Sequence, residues 1–251
     1  MKLSAEELRR LERVHVRAWP ALRSERIQGW LWRYSGGASQ RANSVSAIEF
    51  DGADAKAAID EIEQRYREQG APARLHSFSV CQPANLTDLL MARGYRETEA
   101  TTTMAKRLGA EAPQADGVEI ATTPSAAWLE VYLGAITESR RAVNTVILEK
   151  VPEPRAFFAY RQDGQVVSTA LCVVEPDAEG GFGVIECVAT RLEARRQGGA
   201  RKVLAAIEAW AAGRRLRLLG LQVSQTNPPA VALYERLGFV AVDANRFWIG
   251  G

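Results

Sequence analysis

The sequence has few cysteines, and those it has form no recognisable pattern. Cys81, Cys172 and Cys187 are too few and too widely spaced for a disulfide framework or a metal site built from thiolates. His15 and His76 have no nearby partners at metal-ligand spacing and are expected to be structural. We therefore expect no bound metal and a reducing compartment, with the cytoplasm as the simplest location.

An excess of one charge and a long apolar run are also missing. The 32 lysines and arginines are balanced by 30 aspartates and glutamates along the whole chain, so no basic tail or stripe indicates a nucleic-acid partner or an anionic membrane. The chain becomes charged within its first few residues, and nowhere do about 18 apolar residues follow one another. We therefore expect neither export nor a membrane-spanning segment.

What the sequence does contain is typical of a soluble globular protein. Hydrophobic residues make up 47% and charged residues 25% of its 251 residues, which is enough for an ordinary core. The length exceeds the usual domain size of about 100–200 residues. Residues 108–117 are rich in Ala, Gly and Pro and are the best candidate linker, so we predict domains at residues 1–110 and 115–251.

The hydrophobic periodicity predicts alternating helices and strands in both halves. Ser4 and Glu7 have the spacing of a capping box, which predicts an opening helix that ends before Pro20. Asp163-Gly164 is a strong hairpin signal, whereas residues 137–150 fit no clear pattern. Further helices are predicted over residues 54–69, 86–93, 125–136, 199–212 and 227–238, with strand-like stretches such as residues 43–50 between them. This order predicts an α/β fold.

The two halves repeat the same order of elements. Gly94-Tyr95 corresponds to Gly238-Phe239 at an offset of 238 − 94 = 144, and this offset places residues 54–69 on residues 198–213 without a gap. The agreement indicates internal duplication, although this order of helices and strands is also common in unrelated α/β proteins.

A basic loop that contains glycine joins a predicted strand to a predicted helix at residues 188–200. Glycines let the backbone approach an oxyanion, and a helix N-terminus contributes about half a positive charge. Arg195 and Arg196 add formal charge. The loop is therefore a candidate anion site, although an arginine pair before a helix is often ordinary solvated surface.

A second motif follows after one helix and one strand, and the two motifs together resemble the GNAT acetyltransferase superfamily. Its members carry an Arg/Gln-x-x-Gly-x-Gly/Ala loop and an Asn-x-x-Ala-x-x-Leu-Tyr-x-x-x-Gly-Phe segment. The loop is matched by Arg195, Gly198 and Ala200. The residues that match the segment are Asn227, Ala230, Leu233, Tyr234, Gly238 and Phe239. Order and spacing agree over roughly residues 118–249, which makes the joint match specific.

The resemblance implies two GNAT-like domains, each a mixed, mostly antiparallel sheet flanked by helices, with acetyl-CoA as the cosubstrate. It implies that Val188 N–H polarises the thioester carbonyl, that Asn227 contacts pantetheine, and that Tyr234 protonates the departing CoA thiolate. The loop amides would hold the pyrophosphate. The implied cofactor-binding residues are Val188, Ala189, Thr190, Arg195, Arg196, Gln197, Gly198, Gly199, Ala200, Asn227 and Tyr234.

Simpler explanations exist for two of these residues. Asn227 would cap a helix in any fold, and Tyr234 could be a core aromatic residue with its hydroxyl at the rim. In the family, the strand before the loop separates from its neighbour and leaves backbone groups for the cofactor. The corresponding stretch here is residues 187–190.

Transfer to an amine also requires a route for its proton near Val188. Glu186 lies two residues earlier, is expected to share a face with Val188, and occupies a position where several family members have a carboxylate. It could instead be solvated or paired with an arginine, and many members use water chains. Glu186 and Tyr234 are therefore the catalytic candidates, with a water chain as the alternative base.

The first half has lost each residue that the resemblance makes functional. At the offset of 144, the residues that stand where the second half has Arg195, Gly198, Asn227 and Tyr234 are Asp51, Asp54, Pro83 and Leu90. The two aspartates would repel a pyrophosphate. We expect this half to be structural or to shape the acceptor pocket, and its candidate lining residues are Trp30, Arg33, Arg41 and Asn43.

The hypothesis is an N-acetyltransferase that moves the acetyl group of acetyl-CoA to a primary amine of a small molecule. Residues 137–144, with Glu138, Arg140 and Arg141, lie where the family usually has its acceptor-binding loop. A protein or peptide amine as acceptor, or a non-catalytic acyl-CoA-binding module, are the alternatives. Monomer and homodimer are both compatible with the sequence.

Overall fold

The computed structural model describes residues 1–109, 116–175 and 180–250. Within these ranges the helices are α1 (Ala5–Ala18), α2 (Ala55–Arg67), α3 (Leu86–Ala92), α4 (Ala126–Gly134), α5 (Glu138–Lys150), α6 (Gly199–Gly213) and α7 (Pro228–Arg236). The strands are β1 (Arg23–Ile27), β2 (Trp30–Tyr34), β3 (Val45–Ser46), β4 (Arg74–Ser77), β5 (Arg96–Arg107), β6 (Val118–Ala121), β7 (Arg155–Gln162), β8 (Gln165–Val174), β9 (Phe182–Thr190), β10 (Leu218–Ser224) and β11 (Val240–Ile249). The predicted boundary between residues 110 and 115 falls outside the described residues.

The described strands form one sheet of eleven, in the order β1-β2-β3-β4-β11-β5-β10-β9-β8-β7-β6. The pairs β3–β4 and β9–β10 are parallel, and the other neighbouring pairs are antiparallel. The predicted fold class, a mixed and mostly antiparallel sheet flanked by helices, is confirmed.

The last strand of each half pairs with the other half. β11 pairs with β4, β5 pairs with β10, and β5 and β11 pair with each other at the centre of the sheet. The offset of 144 superimposes the starts of α2, β4 and β5 on those of α6, β10 and β11, since 55 + 144 = 199, 74 + 144 = 218 and 96 + 144 = 240. The repeat that the sequence indicates thus extends to strand pairing, because each half contributes one parallel pair and donates one strand.

Helices cover both faces of the sheet. On one face, α1, α4 and α5 pack around Leu11, Trp128 and Phe157. On the opposite face, α6 and α7 cover the second half, and α2 and α3 cover the first half around Trp30. Helix α1 approaches β10 closely, since a Cβ at Gly220 would lie 2.6 Å from Leu11 Cδ1. None of the described helices is long and apolar enough to cross a membrane.

Most local predictions are confirmed. Ser4 and Glu7 form the capping box of α1. Asp163 and Gly164 have φ angles of +49° and +78°, the left-handed conformation that a two-residue hairpin turn requires. Residues 137–150, which fit no pattern in the sequence, contain the helix α5.

The prediction of a strand over residues 43–50 is wrong, because only Val45–Ser46 is a strand. Asn43 instead belongs to a short 3-10 helix. Its side-chain oxygen accepts hydrogen bonds from the N–H groups of Ser35 and Gly37 at 2.7 and 2.8 Å. These bonds fix a polar turn and bring Arg41, at the start of the same 3-10 helix, close to the second half.

Candidate active site

Strands β9 and β10 separate at their C-terminal ends. Their parallel pairing stops at Ile185 and Leu221, whereas β10 continues to Ser224 on its other neighbour, β5. The β9 backbone groups that face β10 beyond Ile185 are therefore not used by this ladder. This opening is where the resemblance implies that a cofactor inserts.

A β-bulge lies at the point of separation. Cys187 and Val188 of β9 stand opposite the single residue Ala170 of β8, and Cys187 has a φ angle of +56°. As a result Glu186 points to the face covered by α1, while Val188 packs into the core below α6 and α7. The expectation that Glu186 and Val188 share a face is wrong, because the alternation of side chains holds only in a regular strand.

The first amides of α6 have no hydrogen-bond acceptor among the residues that the structure describes. Its first residues follow Gly198, which has a φ angle of +85°, and no side chain caps this end. The first intrahelical bond runs from Lys202 N–H to Gly198 C=O at 3.1 Å, so the intervening amides have no helical acceptor. A Cβ at Gly199 would lie 2.2 Å from Ser168 Oγ, which explains why glycine is needed where the helix meets β8. The geometry suits an oxyanion at this end of the helix.

The side chains of the preceding loop point mainly to solvent. Arg195 Nε donates to Thr190 C=O at 3.4 Å, and Gln197 Nε2 donates to Glu193 C=O at 3.1 Å. Arg196 has a φ angle of +62° and forms no ion pair with any residue in the described ranges. Its guanidinium is therefore available to an anion bound at the helix end.

Asn227 and Tyr234 lie at the two ends of α7. Asn227 caps the helix, and its side-chain oxygen accepts from Ala230 N–H at 3.3 Å. Tyr234 is 8% exposed and packs edge-on against Phe239, with ring centroids 6.1 Å apart. Its hydroxyl has no hydrogen-bond partner among the residues that the structure describes. Burial, together with the negative charge of Glu186, raises the pKa of Tyr234 to about 12.

Glu186 forms an ion pair with Arg41 from the first half. Arg41 Nη1 and Nη2 donate to the two carboxylate oxygens, each at 2.7 Å. Burial alone would raise the pKa of Glu186, but the charge and hydrogen bonds of Arg41 lower it to about 2. His15 Nδ1 lies 3.8 Å from the same carboxylate, and burial lowers the pKa of His15, which keeps the ring neutral. In this arrangement neither oxygen of Glu186 is free, and a carboxyl group with so low a pKa is a weak base at neutral pH.

A second buried carboxyl group lies beside this pair. Glu12 of α1 accepts hydrogen bonds from Thr103 Oγ1 at 2.6 Å and from Gln222 Nε2 at 2.8 Å. The network continues through Asn245 to His76. Burial raises the pKa of Glu12 to about 8, although the two hydrogen bonds act in the opposite direction.

A cavity of about 480 Å³ opens on this side of the sheet. Both halves of the chain line it: β4 and β5 of the first half and β10 and β11 of the second half each contribute side chains. Its charged lining residues are Arg41, Arg74, Glu99 and Arg140, and its polar lining residues include Thr98, Thr101, Gln222 and Ser224. Because Glu186 already neutralises Arg41, the remaining charges favour an anionic group.

Only some of the predicted lining residues reach this cavity. Arg41 and Arg140 do, whereas Trp30 is a core residue, Asn43 fixes a turn, and Arg33 lines a different cavity. Sequence reasoning missed Arg74, Glu99, Thr101, Gln222 and Ser224. The available signal is the alternation of polar with apolar residues in the second half of β10, at Gln222 and Ser224.

Comparison with known proteins agrees with this arrangement. Residues 5–248 match the family described as "Probable histone acetyltransferase Rv0428c C-terminal". The uncharacterized N-acetyltransferase YobR of Bacillus subtilis (strain 168) is 24% identical over 253 residues, which cover 97% of this chain and 99% of that protein. A GCN5-related N-acetyltransferase from Kribbella flavida has a TM-score of 0.70 at 19% identity, covering 100% of this chain and 96% of its own. A tandem GNAT protein from the clavulanic acid biosynthesis pathway has a TM-score of 0.64 at 12% identity, and the match covers 88% of this chain and 77% of that protein.

The fold, together with the separated strands and the glycine-led helix, defines an acetyltransferase of the GNAT type. The match over residues 5–248 further shows that the chain belongs to the family of the Rv0428c C-terminal region.

Proposed function

We propose that this protein transfers the acetyl group of acetyl-CoA to a primary amine of a small, polar molecule. The observation that carries the proposal is the uncapped N-terminus of α6 beside the opening between β9 and β10. The N-terminus of α6 offers a phosphate site, and the opening between β9 and β10 offers unpaired backbone groups at the strand edges. In CoA the pantetheine arm is attached to the pyrophosphate, so the phosphate site and the unpaired strand edges must lie next to each other.

The residues present fit acetyl-CoA. The amides around Gly198–Ala200 and the guanidinium groups of Arg195 and Arg196 would hold the pyrophosphate, and Asn227 would contact the pantetheine arm. Acetyl-CoA would supply the reactive thioester, with Val188 N–H directed at its carbonyl oxygen. Tyr234 would donate a proton to the thiolate, since a pKa of about 12 keeps its hydroxyl protonated at neutral pH.

The proton of the acceptor amine is proposed to leave through water rather than directly to Glu186. Both oxygens of Glu186 are engaged by Arg41, and the low pKa of this carboxyl group makes it a poor proton acceptor. Glu186 then acts by positioning Arg41 at the edge of the acceptor cavity. Of the two bases considered, we therefore propose the water chain rather than the Glu186 carboxylate.

The lining of the cavity supports an acceptor that carries an acidic group as well as its amine. Arg74 and Arg140 form no ion pair with any carboxylate in the described part of the chain, and Glu99 is the single acidic lining residue. Arg74 lies on β4, three strands from β10, which is about 14 Å at the usual strand spacing. An amine near β10 and an acidic group near β4 would fit a small amino acid derivative.

A protein amine is the second candidate acceptor, because the matched family is described as a probable histone acetyltransferase C-terminal region. The cavity argues for a small molecule, since residues from both halves enclose it. A non-catalytic acyl-CoA-binding module would bind the cofactor without turnover.

Measurement of CoA release with a panel of acceptors tests these alternatives. The panel contains small amino acids, their amides, simple alkyl amines and a lysine-containing histone-tail peptide. We expect turnover with small amino acids, a higher KM for the amides, and an Arg74→Gln variant that raises KM for the acids only. Preference for the peptide would support the second candidate, and binding of acetyl-CoA without turnover on any amine would contradict enzymatic activity.

A further inference from the structure

A second cavity, separate from the acceptor cavity, lies between α1 and the first three strands of the sheet. Its volume is about 460 Å³, within the range of small-ligand sites. The end of α5 closes its rim. The two cavities share no lining residue, and we call this one the α1 cavity.

Positive charge dominates the α1 cavity. Its charged lining residues are Arg13, Arg17, Arg26, Arg33, Lys150 and Glu49. Glu49, the single carboxylate among them, is bound by Arg13 at 2.5 Å. Arg17 and Arg26 donate instead to backbone carbonyl groups, at 2.8 Å to Val174 and 3.0 Å to Gly29. Among the described residues, Arg17, Arg26 and Lys150 form no ion pair with a carboxylate, so the cavity holds a surplus of cations.

Arg33 is the least expected of these cations. It is 2% exposed, and among the described residues its guanidinium donates only to the carbonyl oxygens of Ser44 and Trp19, at 3.2 and 3.4 Å. Burial lowers its pKa to about 9. A buried arginine normally has a carboxylate partner, because an uncompensated buried charge is strongly unfavourable. No residue in the described ranges supplies that partner.

Ser46 provides an independent observation in the same cavity. It is 3% exposed and lines the cavity, and its Oγ has no hydrogen-bond partner among the described residues. Buried hydroxyl groups are normally paired. Ser46 of β3 pairs with Leu31 of β2 and faces the same side of the sheet as Leu31. Arg33 lies two residues after Leu31 on β2, so the side chains of Arg33 and Ser46 face the same side of the sheet.

The remaining wall of the cavity is apolar. Its apolar residues are Val16, Pro20, Ala21, Leu31, Ile48 and Pro152. A bare inorganic anion would leave this surface hydrated, whereas a hydrocarbon body would bury it. The site therefore combines a charged end with a hydrophobic wall.

We propose that the α1 cavity binds an organic monocarboxylate with a hydrocarbon body, its carboxylate held by Arg33 and Ser46 and its chain lying against Val16, Leu31 and Ile48. Lys150 and Arg26 at the exposed rim attract the anion. This site lies outside the opening between β9 and β10, so it is distinct from the acetyl-CoA site.

Calorimetric titration of the full chain with octanoate tests the proposal, with octanamide and inorganic phosphate as matched probes. We expect octanoate to bind, octanamide to bind at least about 10-fold more weakly because it lacks the charge, and phosphate not to compete. Saturating acetyl-CoA should leave the octanoate affinity unchanged. Equal binding of phosphate, no binding of octanoate, or competition with acetyl-CoA would each overturn the proposal.

Two sets of variants locate the site. Arg33→Met should weaken octanoate binding at least about 10-fold, because it keeps the bulk of the side chain and removes its charge. If this variant does not fold, Lys150→Gln combined with Arg26→Gln decides, since both residues are exposed at the rim. Lys56→Gln, an exposed lysine on α2, is the control for charge removal. Unchanged octanoate affinity in the folded Arg33 variant, or in the rim variant, would contradict the site.

Discussion

Arg41 and Glu186 are 145 positions apart in the sequence, yet they form a two-pronged ion pair with both N–O distances at 2.7 Å. The pair joins the two halves of the chain at the edge of the cavity proposed to bind the acceptor. Glu186 is 6% exposed, so its charge depends on Arg41 for compensation.

Arg41→Ala should destabilise the protein by about 3 kcal/mol at neutral pH, because it leaves a buried carboxylate without a partner. In the wild type, the lowered pKa of Glu186 contributes stability above the ordinary pKa of 4.5 that is lost as the pH falls toward 2. In the variant, burial instead raises this pKa, so the loss should shrink between pH 7 and pH 5. Urea unfolding at both pH values checks this, and a double variant with Glu186→Gln should be less affected. A loss that does not vary with pH would contradict the role of the pair.

Glu12 should make the protein less stable as the pH rises. Its pKa of about 8 lies above the ordinary value of 4.5, so between these values the unfolded chain ionises while the folded one holds its proton. The loss has a limiting slope of about 1.4 kcal/mol per pH unit. Glu12→Gln should remove this slope in unfolding experiments from pH 5 to pH 8. Exposed Glu235→Gln is the control and should leave the slope intact.

Gly198→Asp should weaken acetyl-CoA binding by at least about 10-fold. A unit charge about 5 Å from a phosphate contributes roughly 3 kcal/mol at an effective dielectric constant of about 20, and solvent screening reduces this value. Apart from the two chain neighbours of Gly198, no heavy atom of the described residues lies within 4 Å of the new Cβ, so the side chain has room. Gly198→Asn matches the shape and backbone strain without the charge. Calorimetry should show near-normal affinity for Asn, and equal losses in both variants would mean that backbone strain is the cause.

Tyr234→Phe should lower kcat by about 10–100-fold and leave the Kd for acetyl-CoA nearly unchanged. The phenyl ring keeps the edge-on contact with Phe239, so the fold should be retained. Steady-state kinetics and calorimetry on the same preparation separate the two effects. Full activity would exclude the hydroxyl as the proton donor.

One acetyl-CoA should bind per chain. The helix of the first half that corresponds to α6 is α2, and Asp54 caps its N-terminus. The carboxylate of Asp54 accepts from Lys56 N–H at 2.8 Å and so occupies the helix end that is open at Gly198. Titration should saturate at one equivalent. A second equivalent that persists in Gly198→Asp would show that the first half also binds the cofactor.

Features that depend on neighbouring residues could be predicted from the sequence. The start of α6, the cap at Asn227 and the hairpin at Asp163-Gly164 each follow from local backbone preferences.

Features that depend on distant contacts could not be predicted. Arg41 and Glu186 meet through the contact of a short 3-10 helix of the first half with β9 of the second half, and the bulge at Cys187 has no glycine to mark it. Helix α5 was missed because charged residues fill its first turns, leaving its apolar residues in the second half. The exchange of β5 and β11 leaves no signal in either half, since the hydrophobic pattern of a strand does not identify its partner.

Because of this exchange, the last strand of each half pairs with a strand of the other half that would otherwise be an exposed sheet edge. Removal of residues 1–109 would take β5 from β10 and leave an open row of N–H and C=O groups beside the proposed acetyl-CoA site. Removal of the second half would take β11 from β4 and expose that strand in the same way. The second half, for which we propose cofactor binding, is thus not a detachable module. Two chains of an unduplicated ancestor, each lending its last strand to the other, would make the same contacts, so the tandem arrangement is equivalent to a strand-swapped dimer joined into one polypeptide.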